Sequence, residues 1–286
     1  MTTALVTGGA GFLGQAIARA LRDAGTTVTV AGTSTQTDRL TPQRIEELSP
    51  VDVVVHCAGG SSVAASVADP QGELEKTVPP FAALLAHVQR SMPHTRVVLL
   101  SSAAVYGDAE RVPIAETSPL APVSPYGEHK RQCEELCRAY GARGVATAIL
   151  RMFSVYGPGM RKQLLWDACN KARARAGTFG GTGEEERDWL HVSDAVSLVM
   201  TVARHAATDA PVVNGGSGVG VRVRDVVGQI FDELGAGAPE FSGQSRAGDP
   251  LRYVADITRA TALGWQPRVR ITDGITQYVT WFRTQT

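Results

Sequence analysis

The chain has 286 residues, and its 28 Lys plus Arg are balanced by 28 Asp plus Glu, so no excess of positive charge marks it for nucleic acid or an anionic membrane surface. That length can bury a large core, as one large α/β domain or as two unequal lobes. The four cysteines, Cys57, Cys133, Cys137 and Cys169, show no metal-ligand spacing and read as reduced thiols of a cytoplasmic protein, Cys133 and Cys137 as helix packing; no metal site is expected.

Met1 leads straight into an apolar run with no basic segment and cleavage site, and no run reaches membrane-spanning length, so neither targeting nor membrane association is expected. Strands are predicted for ALVT at 4–7, TVTV at 27–30, VDVVVH at 51–56, RVVLLS at 96–101 and VATAIL at 145–150. Each precedes a helical pattern or a glycine-rich turn. This alternation predicts βαβ units in an α/β fold with a Rossmann-type doubly wound parallel sheet. Val53–Val55 and Val97–Leu100 are continuously apolar, as central strands covered on both faces should be. Beyond residue 158 the pattern loosens, with helices predicted near 161–176, 193–206, 222–234 and 271–284 and apolar runs at 210–214 and 252–255. The expected organisation is a dinucleotide-binding domain over 1–158, with segments near 190–214 returning to it, and a smaller C-terminal substrate-binding lobe occupying mainly 159–286.

Between the first strand and first helix lies Thr7-Gly8-Gly9-Ala10-Gly11-Phe12-Leu13-Gly14. Gly8 permits the tight turn, Gly11 lets a pyrophosphate approach the backbone, and Gly14 allows helix and sheet to pack closely. The N–H groups of Phe12, Leu13 and Gly14 then face the anion from the helix start. NAD enzymes of this fold commonly carry an acidic residue at the end of the second strand, where this chain has Gly32, Thr33 and Ser34, with Arg39 close behind. A carboxylate would repel a 2′-phosphate and small hydroxyl residues would not. NADP(H) is therefore favoured, with NAD(H) the alternative.

Farther along, SSAAVYG at 101–107 supplies Ser102, and SPYGEHK at 124–130 supplies Tyr126 and Lys130. Residues four apart share a helix face, so an ammonium can lie beside the phenol and favour its phenolate form. By itself the spacing is weak, because a packed ring and a solvated amine satisfy it equally.

With the glycine turn, SSAAVYG and SPYGEHK in this order, the sequence resembles the extended short-chain dehydrogenase/reductase family, in its nucleotide-sugar epimerase, dehydratase and reductase branch, over almost the whole chain. The resemblance implies Ser102, Tyr126 and Lys130 as the catalytic trio, with Tyr126 and Lys130 also on the cofactor. It implies that His56-Cys57-Ala58-Gly59 lines the cofactor through Ala58 and Gly59, and that nicotinamide and substrate meet at Arg151–Gly159. It places Arg187, within Gly181–Val192, and Arg246 on a substrate diphosphate, with Ser61, Ser102 and Ser154 on the sugar. Such arginines suit phosphate because the planar guanidinium pairs bidentately with oxygens.

In this branch an Asp-Glu pair after the catalytic serine moves protons in 4,6-dehydration, and uronate decarboxylases also carry a carboxylate nearby. Here Ala103 and Ala104 follow Ser102, and alanine transfers no proton. Reduction of a nucleotide-linked 4-keto-6-deoxyhexose is the expected activity, from the compressed connection between Val30 and Val51, from Gly32, and from Lys76 and Ser154 where similar epimerases have Asn. The alternative is 4-epimerisation of a UDP-hexose with bound NAD; a non-catalytic dinucleotide sensor is a second. Helices near 71–90 and 126–141 suit a homodimeric four-helix bundle. His129 is expected on another helix face from the trio, towards solvent or a partner subunit. Trp166 could stack on a base but suits an apolar helix stripe better, and the charge run Glu184–Arg187 should be a solvated loop with only Arg187 directed inward.

Overall fold

In the computed structural model, which describes residues 2–32, 40–244 and 251–285, strand and helix alternate through the first half of the chain. β1 (Thr3–Thr7), α1 (Phe12–Asp23), β2 (Thr27–Ala31), α2 (Pro42–Glu46), β3 (Val53–His56), α3 (Val63–Ala68), α4 (Pro70–Ser91), β4 (Arg96–Ser102), α5 (Pro125–Gly141) and β5 (Ala146–Met152) follow one another. Then come β6 (Ser154–Tyr156), α6 (Gln163–Arg173), β7 (Thr178–Phe179), β8 (Glu186–His191), α7 (Val192–Ala203) and β9 (Val212–Gly215). The chain ends with β10 (Gly220–Arg222), α8 (Val223–Glu233), β11 (Glu240–Phe241), β12 (Arg252–Tyr253), α9 (Thr258–Ala262) and α10 (Ile271–Arg283). Among the described residues no helix is long and apolar enough to cross a membrane.

Two compact units partition the chain. Met1–Gly107, Glu116–Met152 and Val196–Asn214 form the first, and Asp108–Ala115, Phe153–Ala195 and Gly215–Thr286 the second. The first unit leaves its sheet at Met152 because the next strand, β6, pairs with β8 of the second.

In the first unit the described strands run β2-β1-β3-β4-β5-β9, with parallel register from β2 through β5. Val54, Val55, Val97, Val98 and Leu99 are buried, which explains why β3 and β4 carry no polar alternation. Strand order reverses at β1, so the loops after β1 and β3 splay apart at their carboxyl ends and leave the crevice where this architecture binds ligands. α4 and α5 share one apolar core through Phe81, Leu84, Leu85, Val88, Cys133 and Cys137. Burial pushes the Cys133 thiol up to about 11, so it packs as a neutral group.

A buried polar cluster lies between β5 and α5. Arg151, 1% exposed on β5, forms a bidentate pair with Glu134 of α5, Nε to Oε1 at 2.9 Å and Nη2 to Oε2 at 2.7 Å. Ser101 Oγ of β4 donates to Glu134 Oε1 at 2.7 Å, and Arg151 Nη1 donates at 3.0 Å to both the Tyr106 hydroxyl and the Glu116 carbonyl. Tyr106 in turn donates to Asn214 Oδ1 at 2.6 Å. Helix, two strands and two loops are thus tied to one guanidinium, each nitrogen of which has a protein partner.

In the second unit β8 is central: its first half lies between β10 and β12 and its second half beside β6. Asp188, fully buried on β8, accepts from the Ser217, Gly218 and Ala255 N–H groups at 2.5, 2.9 and 3.1 Å and from Ser217 Oγ at 2.7 Å, which gathers two loops around the strand. Trp166 of α6 packs on Trp281 and Phe282 of α10, with ring centroids 6.0 and 5.2 Å away.

Removing one member of a buried ion pair strands the other charge in the core. Glu134→Ala is expected to cost about 3 to 5 kcal/mol in urea denaturation, and Arg151→Met with Glu134→Leu to recover most of it. An equal loss in the single and double variants would show that packing, not the stranded charge, dominates.

Candidate active site

Local chemistry shapes the glycine turn first. Gly8 sits at φ +66, its N–H donates to the Ala31 carbonyl at 2.8 Å, and its carbonyl accepts from the Gly11 N–H at 2.9 Å. A Cβ on Gly8 would come 2.7 Å from the Ala58 nitrogen, and one on Gly14 would run into the Gly8 carbonyl and within 2.8 Å of Gly9 Cα. α1 begins at Phe12 with Gly11 as its N-cap and no side-chain cap, so backbone N–H groups rather than a carboxylate or hydroxyl line its start. A cradle too tight for any side chain, open to an anion at a helix start, fits the pyrophosphate of a dinucleotide.

The loop after β3 borders this cradle. Thr7 Oγ1 accepts from the Ala58 N–H at 3.3 Å and bonds His56 Nδ1 at 2.9 Å, bringing the Cys57–Ala58 backbone beside Gly8. Gly32 ends β2 at φ +69, where a Cβ would meet Leu40 at 3.3 Å. Its identity therefore has a backbone reason, and the missing carboxylate there carries no information about a 2′-phosphate. Thr33, Ser34, Arg39 and Arg246 lie outside the described residues.

Ser102, Tyr126 and Lys130 all belong to the first unit. Ser102 closes β4, and its Oγ accepts the Ala104 N–H at 3.2 Å, capping the 3-10 turn Ala103–Val105. α5 starts at Pro125 with Ser124 as N-cap, its Oγ accepting the Gly127 N–H at 3.1 Å. A Cβ on Gly127 would lie 2.5 Å from the Ala104 carbonyl, so glycine there lets the helix start rest on the turn that follows Ser102. One turn into α5, the buried Lys130 Nζ donates to the Leu100 carbonyl at 3.0 Å and lies 5.9 Å from the Tyr126 ring centroid. The reading of a lone solvated amine is thereby removed.

Arg187 and Ser154 belong to the second unit. Arg187 sits half-buried on β8 between Val221 and Tyr253 and donates from Nη1 to the Glu186 carbonyl at 2.8 Å. Ser154 opens β6 opposite Trp189. Ser61 is exposed ahead of α3, and Lys76 is exposed on α4. The described residues hold no group of His, Cys, Asp and Glu that could bind a metal ion.

Two expectations need correction. His129 does not face solvent; it is 7% exposed and pairs through Nδ1 with the buried Glu73 of α4, because α4 covers that face of α5. Glu184–Glu186 is not a free charge run: Glu184 pairs with Arg224, Glu186 with Arg252, and Glu185 is buried, accepting from Thr182 N–H at 3.0 Å. Sequence reasoning also missed Ser66, whose buried hydroxyl accepts the Tyr126 N–H at 3.0 Å and fixes the backbone of the candidate acid. Nothing in the sequence near Ser66 marks it, since the contact joins residues 60 positions apart.

Comparison with known proteins fits this geometry. The chain belongs to the NAD dependent epimerase/dehydratase family, whose model matches residues 4–216. It is 32% identical to a UDP-glucose 4-epimerase of Azospirillum brasilense over 310 residues, covering 95% of this chain and 89% of that protein. Among solved structures, MoeE5 in complex with UDP-glucuronic acid and NAD superposes with a TM-score of 0.90 at 28% identity, covering 99% of this chain and 100% of that one. UDP-glucose 4-epimerase from Thermotoga maritima, solved with UDP-glucose, gives a TM-score of 0.89 at 26% identity and 99% coverage of both chains. The protein is thus an enzyme of the extended short-chain dehydrogenase/reductase type, in its nucleotide-sugar epimerase and dehydratase branch.

His56, 2% exposed and stacked 4.5 Å from Phe81, is pushed down to about 3, first by burial and then by the nearby Lys130 charge. The folded chain then keeps His56 neutral while the unfolded chain protonates it near its ordinary value of about 6.5, so stability falls as pH drops through that window, by about 1.4 kcal/mol per pH unit once below pH 6. Thermal melts of wild type and His56→Asn between pH 7 and pH 4, chosen from that window, should diverge, with the variant flatter. Parallel curves would refute this role.

Proposed function

We propose that this protein is an NAD-dependent 4-epimerase of a UDP-hexose. The observation that carries the reading is the end of β4: Ser102 is followed by Ala103 and Ala104, so the Ser102, Tyr126 and Lys130 set offers hydroxyl and phenol chemistry for one sugar oxygen, and the two positions after Ser102 hold no carboxylate for dehydration. Relatives named as UDP-glucose 4-epimerases and similar structures holding NAD or a UDP-sugar support it. Reduction of a 4-keto-6-deoxyhexose, and the NADP(H) preference tied to it, have no specific support among these relatives. The positive backbone angle of Gly32 accounts for glycine there with either cofactor.

In this reading the glycine turn from Gly8 to Gly14, with Ala58 and Gly59, holds the dinucleotide. Bound NAD would supply a hydride acceptor and then a hydride donor at sugar C4, so that one turnover leaves it unchanged. Tyr126 takes the C4 hydroxyl proton as hydride leaves and returns it when hydride arrives on the other face. Ser102 Oγ holds the same oxygen, and Lys130, anchored on Leu100, offers its remaining N–H donors to the ribose and its charge to the phenolate. Arg187, with Arg246, is assigned to the diphosphate and Ser61 and Ser154 to the sugar. A homodimer in the cytoplasm completes the proposal.

Purified protein should release NAD on denaturation and interconvert UDP-glucose and UDP-galactose without added cofactor. Tyr126→Phe should lower turnover by about 10² to 10⁴ while retaining NAD. Oxidation of NADPH by a 4-keto-6-deoxy sugar nucleotide, with no epimerisation, would sink the proposal. Sedimentation at micromolar concentration tests the homodimer separately, and a monomer alone would refute it.

A further inference from the structure

A buried polar thread crosses the first unit from the helix bearing Tyr126 and Lys130 to the loop after β3. The Gly60 N–H donates to Thr77 Oγ1 at 3.0 Å, and Thr77 gives its hydroxyl proton to Glu73 Oε1 at 3.0 Å. The other oxygen of Glu73 pairs with His129 Nδ1. Thr77, Glu73 and His129 are 1, 6 and 7% exposed, so water does not compete for these bonds. The Gly60 amide can only donate, so Thr77 Oγ1 accepts from it and passes its own proton to Glu73, and a Glu73 carboxylate takes its second bond from a proton on His129 Nδ1.

Packing reinforces the thread. A Cβ on Gly60 would fall on the Glu73 carboxylate, within 2.5 Å of Cδ, and one on Gly59 would approach Thr77 Oγ1 to 3.2 Å. The loop therefore seats directly on the side chains of α4, and its height above the crevice is set by where Glu73 is held. His129 sits three residues after Tyr126 and next to Lys130 on α5, so one pair of bonds couples the placement of the catalytic helix to that of the Gly59–Gly60 loop.

We propose that His129 and Glu73, acting through Thr77, are positioning residues that lock the Gly59–Gly60 loop against the dinucleotide in register with Tyr126 and Lys130. The inference rests on the reading that this loop lines the dinucleotide. His129 touches neither cofactor nor sugar in this scheme. Its role is to keep Glu73 aimed at Thr77, so that the backbone of residues 58–60 is already in place when the dinucleotide arrives.

The test uses the full chain stripped of nucleotide, with Thr77→Val, His129→Ala, His129→Asn and the double variant Thr77→Val with His129→Ala. Amide hydrogen exchange at Gly60 reads the thread without cofactor, and fluorescence titration with NADH reads its consequence without any sugar. Thr77→Val and His129→Ala should each speed Gly60 exchange and weaken NADH binding about tenfold, the size expected for one stranded buried partner. The double variant should be no worse than the poorer single, because both cut one chain of bonds. His129→Asn, whose amide replaces the Nδ1 donor, should restore both readouts, which a role in bulk packing would not allow. NADH affinity within about twofold of wild type in both singles, or additive losses in the double, would overturn the proposal. Faster Gly60 exchange with unchanged affinity would also overturn it, by separating the thread from the dinucleotide. Wild-type protein that binds no dinucleotide would instead sink the reading of the loop itself.

Discussion

The bidentate pair between Arg151 and Glu134 holds in place the face of the first unit that carries the candidate site. Tyr126, Lys130 and Glu134 follow one another at four-residue steps along α5, so they share one side of the helix. Glu134 is clamped by Arg151 of β5 and Ser101 of β4, and Lys130 by the Leu100 carbonyl, which leaves α5 no freedom to rotate about its axis. Tyr126 is then carried to the carboxyl end of β4, where Ser102 lies. A buried guanidinium is costly to desolvate, and it survives here because its donors meet a carboxylate, a phenol and a carbonyl with good geometry.

Around that clamp the chemistry is assembled from backbone more than from side chains. The glycine turn works by what is missing, since any Cβ at Gly8 or Gly14 would strike neighbouring main chain. The start of α5 uses the same device at Gly127, and the loop after β3 uses it at Gly60. Ser124 and Ser66 satisfy the first N–H groups of α5, so the Tyr126 phenol stands on a helix end that is capped and held rather than frayed.

Much of this was legible in one dimension. The five strands of the first half were visible as apolar runs, and the glycine turn as a pattern with a physical reason for each glycine. The trio was legible as spacing plus company. Gly32 shows a limit of such reading: its positive backbone angle accounts for glycine there whichever cofactor binds. His129 shows a second limit, since helical geometry predicts which face a residue occupies but not which neighbour covers that face.

The sequence by itself determined the parallel α/β architecture, and it set out the glycine turn and the pattern of Ser102, Tyr126 and Lys130, because these depend on local periodicity and on residue types at short spacing. Only the tertiary structure decided how the trio is held. Arg151 with Glu134, Ser66 with Tyr126, and Glu73 with His129 join residues 17, 60 and 56 positions apart. Such contacts are set by how strands and helices pack once the core has formed, and a buried polar side chain finds its partner there whatever the order of residues along the chain.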